Sequence, residues 1–463
     1  MDDNRIFYNH PRQKFCGDFI PFYDKGVFHL FTIIGSNWEH LTTTDFVNFE
    51  NHGVALSGTP DVKAQDRDIY TGSVFSWKGV YHIFYCGHNE DLLAEGKPSE
   101  VVLHATSKDL FTWEKQSDVF LPPDESRFMR RGWRDPIVYR DEEKQEFRML
   151  ITGADARYWN KRWGLTALAT SKDLKNWEIQ APLYAPGVYD AHECCDFFEI
   201  NGKWYLVFST FTRWWEVRYR VADTPYGPFR TPDNDVLDNR AFYAAKTVAA
   251  EGKRYLVGWA ARRKEDKNDE KYEWGGALTV HELRANRDGT LALYPVESVK
   301  KTFSKAQKAA FFPGIGDGTG EKTEKGYRLT SDGYFCNFFF EPKSDDFLFT
   351  CDLTVKGAGG ILFHADNEKF EKWASVEIDE RKKRLFFDHS GKFFFDQMFD
   401  EERPLKKAAK YRLTLIKKDS VVLIYCNGVA LTTRLYGFTG GKIGAFTLEG
   451  ETCISNMKLK LLK

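Results

Sequence analysis

A recurring hairpin signature constrains the fold more than any other feature of this chain. Five strand-like runs alternate aromatic and aliphatic side chains, at residues 27–31, 81–85, 147–151, 204–208 and 254–259. Four runs follow a turn containing glycine, the chemistry of a tight β-hairpin: Lys25-Gly26, Lys78-Gly79, Asn201-Gly202 and Glu251-Gly252. Each run is therefore predicted to be the second strand of a hairpin.

A second motif, Ser or Thr followed two residues later by Asp, lies beyond three of these runs. Its copies begin at Thr43, Ser107 and Ser171, spaced 64 residues apart. Ser-x-Asp turns cap their own backbone, so these Asp residues are predicted to be structural rather than catalytic. Five four-stranded units of this length favour a five-bladed β-propeller over a sandwich or a solenoid.

The repeat fades near residue 283, and a lysine-rich stretch follows at 300–308. Beyond it the chain alternates in period two, for example at 347–353 and 411–416, without a helical stripe. A chain of 463 residues is also long enough for two hydrophobic cores. We therefore expect an all-β protein with a propeller domain over 1–298, a linker over 299–312 and a β-sandwich over 313–463.

Composition and charge narrow the ligand classes. The net charge is -1, with 66 Lys and Arg against 67 Asp and Glu, which argues against nucleic acid or an anionic membrane as a partner. The start of the chain does not resemble a signal peptide, and no apolar run is long enough to span a bilayer. The 8 Cys lack metal-ligand spacing. These features predict a cytoplasmic protein with free thiols, a neutral carbohydrate as ligand, and neither metal nor cofactor; the oligomeric state stays open.

Three acidic segments supply the chemistry needed to cleave a glycosidic bond, which requires a protonated acid and a second carboxylate. Asp18 precedes the strand-like run 19–23 and is expected at the start of an innermost strand, facing the propeller axis. Glu193 lies among apolar residues that would raise its pKa, as a general acid requires. Asp135 follows Arg134, whose charge would keep it ionised, so it suits a fixed acceptor that stabilises positive charge on the sugar.

Each of these three acids could instead have a purely structural role. Asp18 could be a turn residue after a glycine, Asp135 one half of an Arg-Asp turn pair, and Glu193 the partner of a buried arginine. Asp196 and Glu199 lie near Glu193 in sequence. Strand alternation puts these two on opposite faces, so at most one could join Glu193.

The order of these segments resembles family 32 of the glycoside hydrolases, the β-fructofuranosidase, invertase, inulinase and levanase group. Six short motifs in the same order make the resemblance specific. They are Phe28-His29-Leu30-Phe31 with Trp38-Glu39-His40 and Asp45-Phe46, Tyr70-Thr71-Gly72-Ser73, Trp133-Arg134-Asp135-Pro136, Glu193-Cys194, Asn239-Arg240-Ala241-Phe242-Tyr243-Ala244-Ala245 and Trp274-Gly275-Gly276-Ala277-Leu278.

The resemblance implies Asp18 as nucleophile, Asp135 as transition-state stabiliser and Glu193 as acid and base. It also implies a five-bladed propeller followed by a β-sandwich, and hydrolysis of sucrose or short fructo-oligosaccharides with retention, through a covalent fructosyl-Asp intermediate. The sugar contacts that it suggests are Arg134, Trp38, Thr71, Ser73, Tyr243 and Trp274.

The first motif departs from the family pattern. Gly17-Asp18-Phe19 replaces the usual Asn-Asp-Pro, and Thr32 stands where a Gln is frequent. Fewer amide hydrogen bonds to the sugar are therefore expected, which leaves substrate preference open. Two other functions also stay open: an inverting furanosidase of the arabinan-cleaving type, and a carbohydrate-binding propeller without activity.

Loop residues between the repeats offer further sugar contacts. Aromatic rings suit the C–H faces of sugars, and six loop tryptophans are candidates: Trp38, Trp133, Trp159, Trp163, Trp214 and Trp215. A sugar phosphate could be held by Arg157, Arg213 and Arg218.

Overall fold

The computed structural model of this chain describes residues 6–11, 15–157, 160–366, 372–389 and 401–463. It forms two compact units, Met1–Trp259 with Trp274–Leu291, and Ala260–Glu273 with Ala292–Lys463. In the described ranges, no helix has the length and apolar character needed to cross a membrane.

The first unit contains five antiparallel sheets that follow one another along the chain, which confirms the predicted five-bladed propeller. The strands of the blades, in chain order, are β1 (Gly17–Asp24), β2 (Val27–Ile34), β3 (Asn37–Thr43) and β4 (Glu50–Ser57); β5 (Asp68–Trp77), β6 (Val80–His88), β7 (Glu100–Ser107) and β8 (Glu114–Leu121); β9 (Arg134–Asp141), β10 (Glu146–Ala154), β11 (Gly164–Ser171) and β12 (Glu178–Ile179); β13 (Glu193–Ile200), β14 (Lys203–Thr210) and β15 (Glu216–Ala222); and β16 (Phe242–Ala250), β17 (Lys253–Arg263), β18 (Tyr272–Ala285) and β19 (Leu291–Pro295). In the fourth blade, single bridges from Arg230 and Val236 to β15 occupy the position of the outer strand.

The glycine turns close the first hairpin of four blades, as the sequence predicts. Both residues of each turn have positive φ, for example 47° at Lys25 and 87° at Gly26. This is the backbone of a type I′ turn, whose twist matches that of the strands it joins. The aromatic runs therefore lie in β2, β6, β10, β14 and β17, the second strand of every blade.

The Ser-x-Asp motifs are capped turns. In the second copy, the Asp109 carboxylate accepts hydrogen bonds from the backbone N–H groups of Phe111 and Thr112, both at 2.8 Å. The Ser107 hydroxyl in turn accepts from the N–H of Leu110 at 2.9 Å. These Asp side chains hold the turn between the third and fourth strands of a blade, the structural role that was predicted.

The second unit is built from strands whose apolar side chains form two buried clusters. Its strands, after the short helix α1 (Glu297–Thr302), are β20 (Phe303–Gln307), β21 (Phe312–Gly316), β22 (Thr319–Thr323), β23 (Gly326–Phe340), β24 (Phe347–Ala365), β25 (Ala374–Asp379), β26 (Arg384–Asp388), β27 (Glu401–Pro404), β28 (Tyr411–Lys418), β29 (Val421–Cys426), β30 (Val429–Arg434) and β31 (Lys442–Leu462). Short 3-10 helices also occur at Glu90–Glu95 and Lys264–Asp266.

Two long strands, β24 and β31, connect the layers of this second unit. β24 pairs with β28 from Phe347 to Leu353 and with β25 from Ala358 to Phe363. Side chains from both halves, such as Phe349 and Ile361, lie in the same buried cluster. The arrangement is a β-sandwich whose layers share their longest strands, consistent with the predicted fold class.

The segment 299–312, expected to be a linker, contains the end of α1 and the whole of β20. β20 pairs with the last strand, β31, from Phe303 to Gln307. The second unit also includes Ala260–Glu273, the tip of the β17–β18 hairpin. There Arg263 forms an ion pair with Glu401 at 2.9 Å, with both side chains almost completely buried.

Candidate active site

The innermost strands of the propeller share an irregularity near their first residues. The pairing of β1, β5, β9 and β13 with the next strand shifts register at this point. Near the start of β1, β9, β13 and β16, four non-glycine residues have left-handed backbone: Asp18 (φ 49°), Asp135 (φ 56°), Cys194 (φ 49°) and Ala244 (φ 50°). Such conformations cost energy when a Cβ is present, and they cluster at functional sites. β-bulges redirect side chains, so this ring of irregular backbone presents the candidate acids.

Asp18 and the glycine before it lie beside tryptophan side chains. The indole N–H of Trp259 donates to its Oδ1 at 3.2 Å. A Cβ at Gly17 would lie 3.1 Å from Trp274 and 3.2 Å from Trp259, closer than most Cβ contacts, so the close packing favours glycine there. Thr32, at the position where the family often has Gln, is buried and donates to the Gly17 carbonyl at 2.8 Å. It fixes the bulge of β1 instead of offering an amide to a ligand.

The protonation of Asp18 depends on its neighbours in three other blades. Burial, together with the charges of Asp135 and Glu193, raises the pKa of Asp18 from 3.8 to about 7. The hydrogen bond from Trp259 and the charge of Lys246 act in the opposite direction. Asp135 and Glu193 are therefore close enough to Asp18 for their charges to oppose its ionisation.

Asp135 is a fixed hydrogen-bond acceptor. Its side chain is 3% exposed, and Oδ2 accepts from the Cys194 backbone N–H at 2.8 Å and from the Thr152 hydroxyl at 3.2 Å. Thr152 also contacts the His192 carbonyl at 2.6 Å, so it links β10 to the residue before Glu193. These contacts hold one oxygen of Asp135 in place and connect it to the fourth blade.

Glu193 is held by two partners from different blades. Its Oε1 accepts from the Arg134 guanidinium and its Oε2 from the Tyr243 hydroxyl, both at 2.6 Å. Burial raises the pKa of Glu193 above its ordinary value, and the charge of Asp135 adds to this. Arg134 and Tyr243 lower it, because both stabilise the carboxylate. A carboxyl under these opposing effects can give up a proton and take it back.

Glu100 holds the Arg134 segment, a role that the sequence analysis missed. Its Oε2 accepts from the backbone N–H groups of Gly132 and Trp133, the latter at 2.8 Å, and lies 3.8 Å from the Arg134 guanidinium. Burial opposes the charge of Arg134, yet the surrounding carboxylates raise its pKa well above its ordinary value. The only sequence signal was a lone Glu at the start of a strand, which gives no indication of this contact.

The contacts form a chain across the blades. Trp259 donates to Asp18 and lies 5.7 Å from the ring of Tyr243, which donates to Glu193. Glu193 then accepts from Arg134, the residue before Asp135. Residues separated by up to 241 positions in the sequence therefore make one polar cluster with aromatic walls.

The remaining predicted sugar contacts have different environments. Trp38 has no exposed surface, and its indole N–H donates to a backbone carbonyl, so it packs in the core and is not placed to stack on a sugar. Ser73 is buried and accepts from a backbone N–H of β9 at 3.3 Å. Thr71, at the bulge of β5, is buried with no hydrogen-bond partner for its hydroxyl in the described part of the chain. Trp274 lies beside Trp259, at 6.1 Å between rings.

Among the loop tryptophans, Trp215 contacts the aromatic wall of this cluster. Its ring stacks on Tyr243 at 5.2 Å. Trp214 is 57% exposed, whereas Trp133 is completely buried and belongs to the core between blades. Trp159 lies outside the described residues.

All eight cysteines are free thiols. Over the ranges that the structure describes, no group of three or more His, Cys, Asp or Glu side chains could hold a metal ion.

Comparison with known proteins identifies the family. Residues 9–295 match the N-terminal domain of the glycosyl hydrolases family 32, more than half of the chain. This chain belongs to glycosyl hydrolase family 32. The resemblance predicted from its motifs is confirmed.

Individual relatives agree with this family 32 assignment. The sucrose-6-phosphate hydrolase of Vibrio alginolyticus is 28% identical over 59% of this chain and 58% of the relative, and that of Escherichia coli is 25% identical over 57% and 56%. The matches thus span a little more than half the length of these relatives. The structure of fructan 1-exohydrolase IIa from Cichorium intybus has a TM-score of 0.76 with 16% identity, and covers 100% of this chain and 97% of that chain. That likeness shows a shared fold.

Proposed function

We propose that this chain is a retaining β-fructofuranosidase that cleaves sucrose or short fructo-oligosaccharides through a covalent fructosyl-Asp18 intermediate. The observation that carries the proposal is the polar cluster in which hydrogen bonds and ring contacts connect Asp18, Asp135 and Glu193 from three different blades. Membership of family 32 supports the reaction class. A cytosolic location belongs to the same proposal, supported by the free cysteines.

The roles follow from the contacts of each carboxyl. Glu193 protonates the leaving oxygen while Asp18 attacks the anomeric carbon, so the glycosidic bond breaks as the ester to Asp18 forms. Asp135 has one oxygen fixed by Cys194 and Thr152, which suits it to stabilise positive charge on the ring in the transition state. The Glu193 carboxylate then takes a proton from water, which attacks the ester and releases fructose.

Arg134 and Tyr243 help Glu193 to alternate between its protonated and ionised forms. After Glu193 has lost its proton, both partners stabilise the carboxylate through hydrogen bonds of 2.6 Å. Burial and Asp135 favour the return of the proton at the end of the cycle. This balance is what a residue acting first as acid and then as base requires.

Removal of the Glu193 carboxyl tests the mechanism. Glu193→Ala should lose at least about 10³-fold in turnover of sucrose. With an activated aryl fructoside, whose leaving group needs no proton, the intermediate should accumulate and added azide should restore turnover with the starting configuration. Glu199→Ala, a change on an exposed side chain of the same strand, is the matched control and should behave as wild type.

The rival functions give different results in the same experiment. An inverting furanosidase would form no covalent intermediate, and a product of opposite configuration would support it. A carbohydrate-binding propeller without activity would release no sugar from any fructoside or arabinoside.

A second candidate substrate is sucrose carrying a phosphate, favoured by an arginine-lined cavity in the first unit. The cavity has a volume of about 600 Å³, and its lining includes Arg162, Arg213 and Trp214. The next residue in the chain, Trp215, stacks on Tyr243 of the acid cluster. The loop that lines the cavity therefore also contacts the acid cluster.

The charges in this cavity suit an anion. Arg218 lines it but is bound to Glu216 and Asp235, each at 2.6 Å. Arg162 and Arg213 take part in no ion pair within the described ranges, so both guanidinium groups are available. Two such groups can bind a phosphate through charge-assisted hydrogen bonds. The names of the Vibrio and Escherichia relatives agree with this candidate.

Measuring kcat/KM for sucrose and for sucrose 6-phosphate decides which of the two is the preferred substrate. If the phosphate is recognised here, kcat/KM should be higher for sucrose 6-phosphate than for sucrose. Arg213→Gln should then lower kcat/KM for the phosphorylated sugar by roughly 10- to 100-fold and leave sucrose unchanged. Arg287→Gln, at an exposed turn of the fifth blade, is the control. Equal kcat/KM for both sugars in the wild type would exclude the phosphate as a determinant.

A further inference from the structure

Lys246 is a buried lysine next to the acid cluster that the mechanism above does not use. It lies on β16 and is 3% exposed. Its Nζ donates to the Cys195 carbonyl at 3.4 Å, and no ion pair in the described part of the chain includes it. Burying a charge away from water and from a counter-ion is costly, so its presence calls for a compensating benefit.

Lys246 lies on a strand that packs against two of the strands carrying the acids. β16 packs against β1, which holds Asp18, and against β13, which holds Glu193. The positive charge of Lys246 lowers the pKa of Asp18, Cys194 and Cys195. Its field therefore acts on the nucleophile.

Other titratable groups also surround Asp18 and Lys246. Those that act on Asp18 or Lys246 directly are Cys16 before β1, Asp135 on β9, and Glu193, Cys194 and Cys195 on β13. Next to these groups lie Tyr70 on β5, Cys86 on β6, Glu100 on β7, Arg134 on β9, Asp196 on β13 and Tyr243 on β16. Most of these groups are acidic, and the cation Arg134 is bound to Glu193. Asp196 accepts from the Thr247 backbone N–H at 2.6 Å. Lys246 is thus the cation of this set that forms no ion pair.

We propose that Lys246 is a positioning residue whose fixed positive charge keeps the Asp18 carboxylate ionised while Glu193 holds its proton. The inference rests on the proposed function, in which Asp18 must attack as an anion. Burial and two neighbouring carboxylates oppose ionisation of Asp18. In a site with little water, a nearby cation offsets them more effectively than in solvent.

Two variants separate charge from packing. Lys246→Met removes the charge and keeps an unbranched side chain of similar length. Lys246→Arg keeps the charge. In the Met variant, the midpoint of the acid limb in the plot of kcat/KM against pH should rise by about one pH unit. At pH values below this midpoint kcat/KM should fall roughly tenfold, and at alkaline pH it should change little. The Arg variant should keep the wild-type limb.

Thermal unfolding of the Lys246→Met variant tests the proposal independently of activity. Because a buried, unpaired charge is removed, the Met variant should be at least as stable as wild type in thermal unfolding. A purely structural lysine would instead produce a lower melting temperature and a parallel loss of activity at every pH. Either of those results overturns the proposal.

A measurement that needs no turnover separates this inference from the proposed function. In protein labelled with ¹³C at the Asp carboxyls, the signal missing from Asp18→Asn identifies Asp18, and its titration midpoint should rise in Lys246→Met. An unchanged midpoint overturns the role of Lys246. Failure of the wild type to release fructose would overturn the proposed function, while the midpoint would still report the effect of the lysine.

Discussion

Replacing Asp18 by Asn should stabilise the fold while it removes activity. The change takes one charge out of the propeller and keeps the shape of the side chain. Asn tolerates left-handed backbone as Asp does, so the φ of 49° at this position adds no new strain. The amide oxygen can still accept from Trp259. The variant therefore isolates the effect of the charge on stability.

The magnitude follows from the pKa of Asp18, about 7 in the folded chain against an ordinary 3.8. Because the folded value is the higher one, folding disfavours the ionised form. The resulting loss in the free energy of unfolding is absent below pH 3.8, grows as the pH rises to 7 and is constant above pH 7. At about 1.4 kcal/mol per pKa unit, Asp18→Asn should raise the free energy of unfolding by roughly 4 kcal/mol at pH 8 and by less than half of that at pH 5.

Urea unfolding followed by tryptophan fluorescence at both pH values measures this difference. Asp109→Asn is the matched control. Backbone hydrogen bonds from Phe111 and Thr112 lower the pKa of Asp109, so loss of this carboxylate should destabilise the chain. If Asp18→Asn is no more stable than wild type at pH 8, or if its gain is the same at pH 5, the Asp18 carboxyl does not have the raised pKa on which the reasoning depends.

Three further changes test other parts of the structure. Asp135→Asn should lower kcat by roughly 100-fold or more with KM little changed, because its interaction strengthens as ring charge develops; an effect on KM alone would make it a plain binding residue. Gly17→Ala, whose Cβ would lie 3.1 Å from an indole carbon, should lower both melting temperature and activity, whereas Gly333→Ala, with open space around it, should change neither. Arg263→Met should lower the free energy of unfolding of the second unit by roughly 3–5 kcal/mol, since it leaves Glu401 buried without its ion pair; a loss below about 1 kcal/mol in urea unfolding would contradict this.

The sequence by itself determined the blades, because the signals that build them are local. A turn such as Lys25-Gly26 sets its own hairpin through two positive φ angles, and Asp109 caps its own turn. Period-two alternation is equally local, which is why the second strand of each blade was predicted correctly. The order of short motifs also led to the family, which the match over residues 9–295 confirms.

Only the tertiary structure decided which side chains meet. Alternation along β13 allowed Asp196 or Glu199 to join Glu193, but the register shift between Glu193 and Asp196 breaks the alternation at that point. Asp196 instead caps the backbone of β16, and Glu199 is exposed. A bulge depends on pairing between strands, so local propensity does not reveal it.

The contacts around the acids were also not predictable from local sequence, because they join residues far apart in the chain. Glu193 takes its partners from residues 59 and 50 positions away, and Trp259 reaches Asp18 across 241 positions. Trp38, expected near the sugar, is instead completely buried. The sequence supplies the acids and the strands that hold them. Closure of five blades around one axis decides their neighbours, and with them each pKa, because burial and nearby charge arise only when distant strands pack together.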